Sequence, residues 1–159
     1  MILVTLGTQD KPFLRLLKAL EKAKLDGKIN DDIIVQAGYT KYDSKVLKII
    51  DFVTMDKFDK LINECNILIT HGGVGSIISG INNGKKVVAI ARLKKYGEHT
   101  NDHQKQIIKK FVKDGYILEL KNLNKIDETL REIKNLKVKK YKSNTANMVD
   151  LIETFIENN

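Results

Sequence analysis

The stretch I-L-I-T-H-G-G-V-G-S-I-I-S, residues 67–79, decides the fold into which the rest of the chain must fit. It opens with a continuous apolar run that Thr70 ends, which is typical of a parallel strand covered on both faces. Three glycines follow, and we expect them to adopt positive φ angles and bring backbone N–H groups close to a ligand: Gly72, Gly73 and Gly75. Ser76 is predicted to cap the next helix. This order predicts a site for a phosphate or diphosphate.

Two common phosphate-binding motifs do not fit this stretch. A Walker A loop needs G-x-x-x-x-G-K-[ST], and residues 80–86 lack its spacing and its hydroxyl. The dinucleotide motif G-x-G-x-x-G fails because Ile78 occupies the place of the third glycine. His71, at the end of the strand, can donate a hydrogen bond to a phosphate oxygen or to a developing negative charge. A structural role, in which His71 bonds a neighbouring carbonyl, is equally compatible with the pattern.

Length and composition indicate one globular domain over residues 1–159. Hydrophobic residues make up 42% and charged residues 30% of the chain, and no apolar run approaches the roughly 20 residues of a membrane span. The first ten residues lack the basic region and cleavage site of a signal peptide, so we expect a cytoplasmic protein. The single cysteine, Cys65, excludes an internal disulfide and lies on an apolar helical stripe, which predicts a core position.

The net charge of +8 is compatible with three kinds of partner: nucleic acid, an anionic membrane surface or an acidic ligand. The lysines are scattered, and no aromatic residues interleave with them as in a groove for single-stranded nucleic acid. Arginine, the preferred reader of base edges, occurs only three times. A basic nucleic-acid-binding module therefore stays an alternative, but the scattered lysines and the few arginines argue against it.

Strands and helices are predicted to alternate along the whole chain. Predicted strands cover residues 2–6, 32–37, 46–53, 67–70, 87–91 and 116–120. The first predicted helix begins at an Asp10 cap and has Pro12 in its first turn. The other predicted helices cover residues 56–65, 76–83, 101–113, 126–133 and 145–157. This alternation predicts a three-layer, Rossmann-like α/β domain with a mostly parallel sheet.

Four loops are expected to share the edge where the parallel strands end, because ligands of open α/β sheets bind outside the carboxyl ends of the strands. These loops are residues 7–9, 52–55, 71–76 and 92–104. The last of them is dense in hydrogen-bonding groups that suit sugar hydroxyls or a helix cap: Glu98, His99, Asn101, Asp102, His103 and Gln104. No H-E-x-x-H or D-x-D pattern occurs, so we expect no metal cofactor.

Two motifs in this order carry a resemblance to a known family. H-G-G-V-G-S at residues 71–76, followed by G-E-H-T-N-D-H-Q at residues 97–104, resembles the glycosyltransferase family 28 C-terminal domain, the nucleotide-sugar half of GT-B enzymes. The opening L-V-T-L-G-T and the R-L-K-K-Y-G-E-H loop resemble the small PssE-like subunits of bacterial capsule and exopolysaccharide synthesis. They are also similar to the soluble subunit of the eukaryotic dolichol-linked GlcNAc transferase.

The resemblance implies a set of substrate-binding residues. Those expected to hold the donor diphosphate are Gly72, Gly73, Gly75 and Ser76, with His71 alongside and with Gly7 and Thr8 lining the same pocket. Those expected to bind uracil are Phe52, Val53 and Met55, and those expected at the transferred sugar are Asp102, His103 and Gln104, with His99 in the same loop. Ser79 departs from the family, in which larger relatives carry a glutamate that grips the ribose.

The resemblance also implies a reaction that needs a second chain. It implies an inverting transfer from a UDP-sugar to a lipid-diphosphate-linked saccharide, with the acceptor site and catalytic base in a membrane-associated PssD-like partner. That partner would recruit this chain to the inner face of the membrane. A non-catalytic enhancer of such a partner is a competing interpretation. Galactose, glucuronic acid and GlcNAc are all tenable as the transferred sugar.

Overall fold

The computed structural model describes residues 1–139. Strands and helices alternate through this part of the chain, as predicted. The strands are Ile2–Thr5 (β1), Ile33–Gln36 (β2), Lys48–Ile50 (β3), Ile67–Thr70 (β4), Lys86–Ala89 (β5) and Ile117–Glu119 (β6). The α-helices are Leu14–Leu25 (α1), Met55–Glu64 (α2), Val74–Asn82 (α3), His103–Lys113 (α4) and Ile126–Asn135 (α5).

The six strands form one sheet in the order β3-β2-β1-β4-β5-β6. Every described pairing is parallel, so the sheet is entirely rather than mostly parallel. β1 and β4 lie at the centre, with Leu3 paired to Leu68, and all four residues of each are buried. Their continuous apolar sequences reflect this burial, because a central parallel strand is covered on both faces.

Helices cover both faces of the sheet and produce the predicted three layers. On one face, Val4 belongs to an apolar cluster with Leu17 of α1 and Ile133 of α5. On the other face, Leu3 belongs to a cluster with helix residues of α2, α3 and α4: Ile62, Ile77 and Ile108. Successive strand side chains point to opposite faces, which is why neighbouring residues of β1 enter different clusters.

The start of α1 differs from the prediction. The helix begins at Leu14, so Asp10 does not cap it and Pro12 lies outside its first turn. Phe13 occupies the cap position, and its N–H donates to Oγ1 of Thr40, 3.1 Å away. A hydroxyl from a distant loop therefore holds the residue before the helix, and within the described residues no side chain caps the helix itself.

Other boundaries shift by smaller amounts. β3 covers only Lys48–Ile50 of the predicted residues 46–53. Cys65 is buried, as predicted, and its thiol donates to the carbonyl of Ile62 at 3.2 Å. The predicted helix at residues 145–157 lies outside the described residues. Within residues 1–139, no helix combines the length and the apolar character required to cross a lipid bilayer.

Candidate functional site

The sheet order places a topological switch point between β1 and β4. From β1 the chain moves through β2 to one edge of the sheet, and from β4 it moves through β5 to the other edge. The loops that follow β1 and β4 therefore leave the sheet in different directions and open a crevice between them, where ligands of such sheets bind. Gly7 follows β1 and His71 follows β4, so the predicted phosphate-binding turn lies in this crevice.

The ring of His71 lies between two glycine turns. A Cβ atom on Gly7 would stand 2.6 Å from Nε2 of His71, and a Cβ atom on Gly73 would stand 2.5 Å from the same atom. Gly7 also has a φ of 76°, a backbone conformation that disfavours other residues. Both turns therefore require glycine because the imidazole packs directly against the backbone on either side.

The surroundings of His71 keep the imidazole neutral. Burial, followed by the positive charge of Arg92, lowers the pKa of His71 to about 4. Nδ1 lies 3.3 Å from the carbonyl oxygen of Thr5. Because a carbonyl only accepts, Nδ1 carries the proton and Nε2 is left as an acceptor. This hydrogen bond matches the structural role left open by the sequence, and donation from Nε2 to a phosphate would require a second proton.

The glycine turn differs in detail from the prediction. Gly72 alone of its three glycines has a positive φ, 84°, whereas Gly73 has a φ of −68° and lies at the cap position of α3. The helix begins at Val74, and the Gly73 carbonyl accepts its first hydrogen bond, from Ile77. Ser76 consequently lies in the first turn and does not cap the helix. One left-handed residue was enough to reverse the chain, so the helix starts earlier than expected.

The early helix start determines which N–H groups face the crevice. The first residues of α3 have no intrahelical acceptor for their N–H groups, as at every helix N-terminus. Gly75 lies among them, and a Cβ atom added there would meet no atom within 4 Å. The turn thus presents backbone donors beside open space, which is the arrangement that an anion needs.

Arg92, which lies shortly after β5, ties the loop after β1 to the loop of residues 92–104. Its side chain is 1% exposed, and the guanidinium donates to the carbonyls of Leu6 and Lys11 in the loop after β1. Its backbone N–H donates to Oε1 of Gln104 at 2.9 Å. Nε of Arg92 has no hydrogen-bond partner among residues 1–139. A charged side chain is therefore fully buried directly behind the crevice.

A second, partly buried contact fixes the same loop to α1. Glu98, 3% exposed, accepts from Nε of Arg15 at 2.6 Å and from the N–H of Leu93 at 3.0 Å. Arg15 also donates to the carbonyl of Ala91 at 2.6 Å. No sequence pattern indicated a role for the side chains of Arg15 and Arg92. The only local sign was that Arg92 directly follows a buried apolar run.

The residues predicted to hold the sugar also organise their own loop. Helix α4 begins at His103, not at residue 101, and Asp102 occupies its cap position without capping it. Oδ1 of Asp102 accepts from the N–H of Lys94 at 2.9 Å instead, and this bond lowers the pKa of the Asp102 carboxyl. Asn101 accepts from the N–H of His103 at 3.2 Å. Gln104 is buried against Arg92, so its side-chain oxygen is already engaged.

His99 joins two of the loops. Its Nδ1 accepts from the N–H of Asn101 at 3.2 Å, and its Nε2 lies 3.1 Å from the side-chain amide of Gln9. Gln9 follows Thr8, which is exposed on the loop after β1. The loops after β1 and β5 therefore contact each other, as the prediction of a shared edge requires.

The predicted uracil-binding corner lies at the same edge, beside β3. Phe52 and Met55 are exposed, at 50% and 73%, and Val53 is half-buried. The Phe52 ring meets the Tyr39 ring edge-on, with centroids 5.0 Å apart. Tyr39 was not predicted to lie at the site, although it follows β2 and shares this edge. β3 is three strand spacings from β4, about 14 Å, so the corner and the crevice lie apart on one edge.

Metal ligation has little support in the described part of the chain. Among residues 1–139, no three His, Cys, Asp or Glu side chains come together in a way that could hold an ion. His99 precedes α4, and His103 is its first residue, so they do not share a helix face as zinc ligands four apart would. Independence from a metal cofactor stays a prediction.

Several solved structures share this fold. The glycosyltransferase of kitacinnamycin superposes with a TM-score of 0.66 at 16% identity, covering 86% of this chain and 35% of that one. The UDP-GlcNAc 2-epimerase of Methanocaldococcus jannaschii superposes with a TM-score of 0.62 at 15% identity, covering 97% of this chain and 45% of that one. Because these identities are low, the similarity shows the fold alone, that of one half of GT-B glycosyltransferases.

Sequence comparison identifies the family. The UDP-N-acetylglucosamine transferase subunit ALG13 of Candida glabrata is 30% identical over 105 residues, which are 64% of this chain. The chain spans about half of that protein, 48%. The model of the glycosyltransferase family 28 C-terminal domain matches residues 1–156, nearly the whole chain. The chain therefore belongs to the glycosyltransferase family 28 C-terminal domain family.

Proposed function

We propose that this chain is the donor-binding subunit of a two-component inverting glycosyltransferase that uses a UDP-sugar. The observation that carries the proposal is the crevice between β1 and β4, where His71 lies between Gly7 and Gly73 beside the free N–H groups of α3. Backbone donors, a helix N-terminus and a buried cation at one point suit a diphosphate. The Candida relative, itself a subunit of a UDP-N-acetylglucosamine transferase, supports this choice of donor.

The edge of the sheet offers a path for an extended donor. We place the diphosphate at the N-terminus of α3 and the uracil at the corner formed by Phe52, Val53 and Met55. The exposed rings of Tyr39 and Phe52 support this placement because aromatic faces stack on bases. The transferred sugar then lies towards the loop of His99 and His103. Ser79, in α3, offers no carboxylate for the ribose hydroxyls, so backbone groups or the partner must bind them.

In this proposal, the chemistry takes place between two chains. A hydroxyl of a lipid-diphosphate-linked saccharide attacks the anomeric carbon, the bond from that carbon to the diphosphate oxygen breaks, and UDP leaves. The hydroxyl proton passes to a base in a membrane-associated, PssD-like partner. The N–H groups at the crevice stabilise the charge that develops on the leaving diphosphate. The partner recruits this chain from the cytoplasm to the inner face of the membrane, for capsule or exopolysaccharide synthesis.

Binding and activity assays test the proposal in two steps. Isothermal titration with UDP should show binding by this chain alone, and His71→Ala should weaken it. No binding of UDP would favour the alternative, a non-catalytic enhancer of a partner that holds the whole active site. Transfer should require the partner subunit, and full activity of this chain alone would contradict the two-component mechanism. Competition among UDP-galactose, UDP-glucuronic acid and UDP-GlcNAc would identify the sugar.

A further inference from the structure

The charged side chains behind the crevice do not balance: Arg92 and Glu98 are buried, and Arg15, which pairs with Glu98, is 23% exposed. Arg92 and Arg15 contribute two positive charges, and Glu98 contributes one negative charge. Glu98 contacts Arg15 directly at 2.6 Å, and it acts on Arg92 only through space. The cluster therefore has one excess positive charge, and this charge resides on the most deeply buried member, Arg92.

An uncompensated charge is expensive inside a protein. Arg92 is 1% exposed, its guanidinium donates to backbone carbonyls, and its Nε has no hydrogen-bond partner among residues 1–139. The Phe13 ring, whose centroid is 5.5 Å from the guanidinium, offers a cation–π contact but no negative charge. Burial lowers the pKa of the Arg92 guanidinium, which shows the cost of keeping the charge there. Buried ions are normally paired, because desolvation costs several kcal/mol per ion. A neutral side chain would brace the loop at a lower cost, so the charge itself needs an explanation.

The positive field of Arg92 extends into the crevice. The guanidinium donates to the carbonyl of Leu6, the residue immediately before Gly7. Its charge is also the second largest cause, after burial, of the low pKa of His71. His99 lowers this pKa further, and the Thr5 carbonyl opposes both. A charge that acts on the imidazole between the two glycine turns also acts on an anion bound there.

We propose that Arg92 is a positioning residue that supplies a fixed positive charge for the donor diphosphate. Arg92 lies behind the loop after β1 and does not contact the ligand. It holds the loop after β1 through the Leu6 and Lys11 carbonyls, and its excess charge attracts the diphosphate through that loop. The anion then balances the buried cluster. This inference rests on the proposed function, since it assumes that a nucleoside diphosphate occupies the crevice.

Two substitutions separate the charge of Arg92 from its hydrogen bonds. Arg92→Gln removes the charge, and Arg92→Lys keeps it. We expect Arg92→Gln to weaken UDP binding roughly tenfold, with little effect on uridine, which has no phosphate. Arg92→Lys should recover most of the wild-type difference in affinity between UDP and uridine. Arg131→Gln, which removes an exposed arginine of α5, is the control for net charge and should change neither affinity.

A spectroscopic measurement checks the same charge without the ligand. NMR titration should show a higher pKa for His71 in Arg92→Gln than in the wild type, and a pKa near the wild-type value in Arg92→Lys. A purely structural brace predicts the same loss of affinity for UDP and uridine, no rescue by lysine and no rise in this pKa. Any of these three results in a folded variant would overturn the inference.

A second variant keeps the inference testable if Arg92→Gln does not fold. Glu98→Gln removes the only carboxylate of the cluster and leaves Arg92 in place, so it should lower the pKa of His71 further and raise the preference for UDP over uridine. An unchanged or reversed preference would contradict the role of Arg92. If the wild-type chain binds no UDP, the proposed function fails instead, and the His71 titrations still report whether the field of Arg92 reaches the crevice.

Discussion

The imidazole of His71 occupies the space that any side chain on either neighbouring turn would need. Nε2 lies 2.5 Å from the position of a Cβ atom on Gly73, whereas a Cβ atom on Gly75 would meet nothing within 4 Å. The two positions of this motif are therefore occupied by glycine for different physical reasons. Gly73 makes room for the protein's own side chain, and Gly75 leaves room outside it.

Alanine substitutions at these two positions should have different effects on stability. Gly73→Ala should displace the ring, lower the free energy of unfolding and weaken UDP binding. Gly75→Ala should leave stability unchanged or raise it by up to about 1 kcal/mol, because alanine favours the helix. UDP binding should still fall in Gly75→Ala if the diphosphate uses the open space. Urea unfolding and isothermal titration measure both effects, and unchanged UDP affinity in both variants would contradict a diphosphate at this turn.

The low pKa of His71 predicts a pH-dependent part of the stability. The unfolded imidazole has a pKa of about 6.5, and the folded one has a pKa of about 4. Between these values the unfolded state binds more protons, so stability is complete above pH 6.5 and falls as the pH drops towards 4. The loss should be on the order of 2 to 3 kcal/mol.

Urea unfolding at several pH values from 7 to 4 measures this loss. His71→Gln should flatten the slope between pH 6.5 and 4 because the titrating group is gone. His103→Gln is the matched control, since it removes another histidine and leaves His71 in place. Equal slopes in the wild type and His71→Gln would show that His71 is not held neutral by the fold.

At the scale of elements, the loop after β5 is tied to α1 in addition to the hydrogen bonds within the loop itself. Arg15 reaches Glu98 and the Ala91 carbonyl, each at 2.6 Å. Glu98 in turn holds the N–H of Leu93. One ion pair, in which Glu98 is buried and Arg15 is 23% exposed, therefore joins this loop to α1.

Removing one member of this pair should lower the free energy of unfolding by more than removing both members. Arg15→Met leaves the Glu98 carboxylate buried without its partner, and we expect a loss of about 3 kcal/mol in the free energy of unfolding. The double variant Arg15→Met/Glu98→Met should recover part of this loss, because it buries no unpaired charge. Arg131→Met breaks an exposed pair with Asp127 and should barely change stability. Additive losses in the double-mutant cycle would contradict this interpretation.

Local pattern predicted the elements well and their contacts poorly. The apolar run of β4 and the stripe of α5 predicted both elements, because burial leaves a regular mark on the sequence. The start of α3 was predicted too late, because a helix can be capped by a glycine carbonyl without any side-chain signal. The pair of Arg15 and Glu98 was missed since its members are 83 residues apart and neither belongs to a repeating pattern.

At the scale of the whole molecule, the strand order places the candidate site. The predicted loops all follow strands, so alternation alone predicted that they share one edge. Alternation does not give the strand order, and only the order shows that the loops after β1 and β4 are neighbours. The meeting of Gly7, His71 and Gly73 is therefore a property of the topology as well as of the glycine motif.

This topology predicts where nucleotide contacts should appear. Titration of the isotope-labelled chain with UDP should shift backbone amide resonances at the carboxyl edge, in the loops after β1, β3, β4 and β5. Amides at the opposite edge should not shift, although a depression of about 450 Å³ lies there, lined in part by Asn66, Gly84 and Lys86. The three lysines of that depression are already engaged: Lys85 donates to the Asn63 carbonyl, Lys86 to the Lys134 and Leu136 carbonyls, and Lys134 to the Asp31 carboxylate.

In the same experiment, uridine and inorganic diphosphate should shift amide resonances at different parts of the carboxyl edge. Uridine should shift amides near Phe52 and Met55, and diphosphate should shift those of Gly73 and Gly75, because β3 and β4 are about 14 Å apart. UDP should shift both sets. Shifts confined to the Asn66 and Lys86 region would place the anion at the amino edge and would remove the crevice between β1 and β4 from the mechanism.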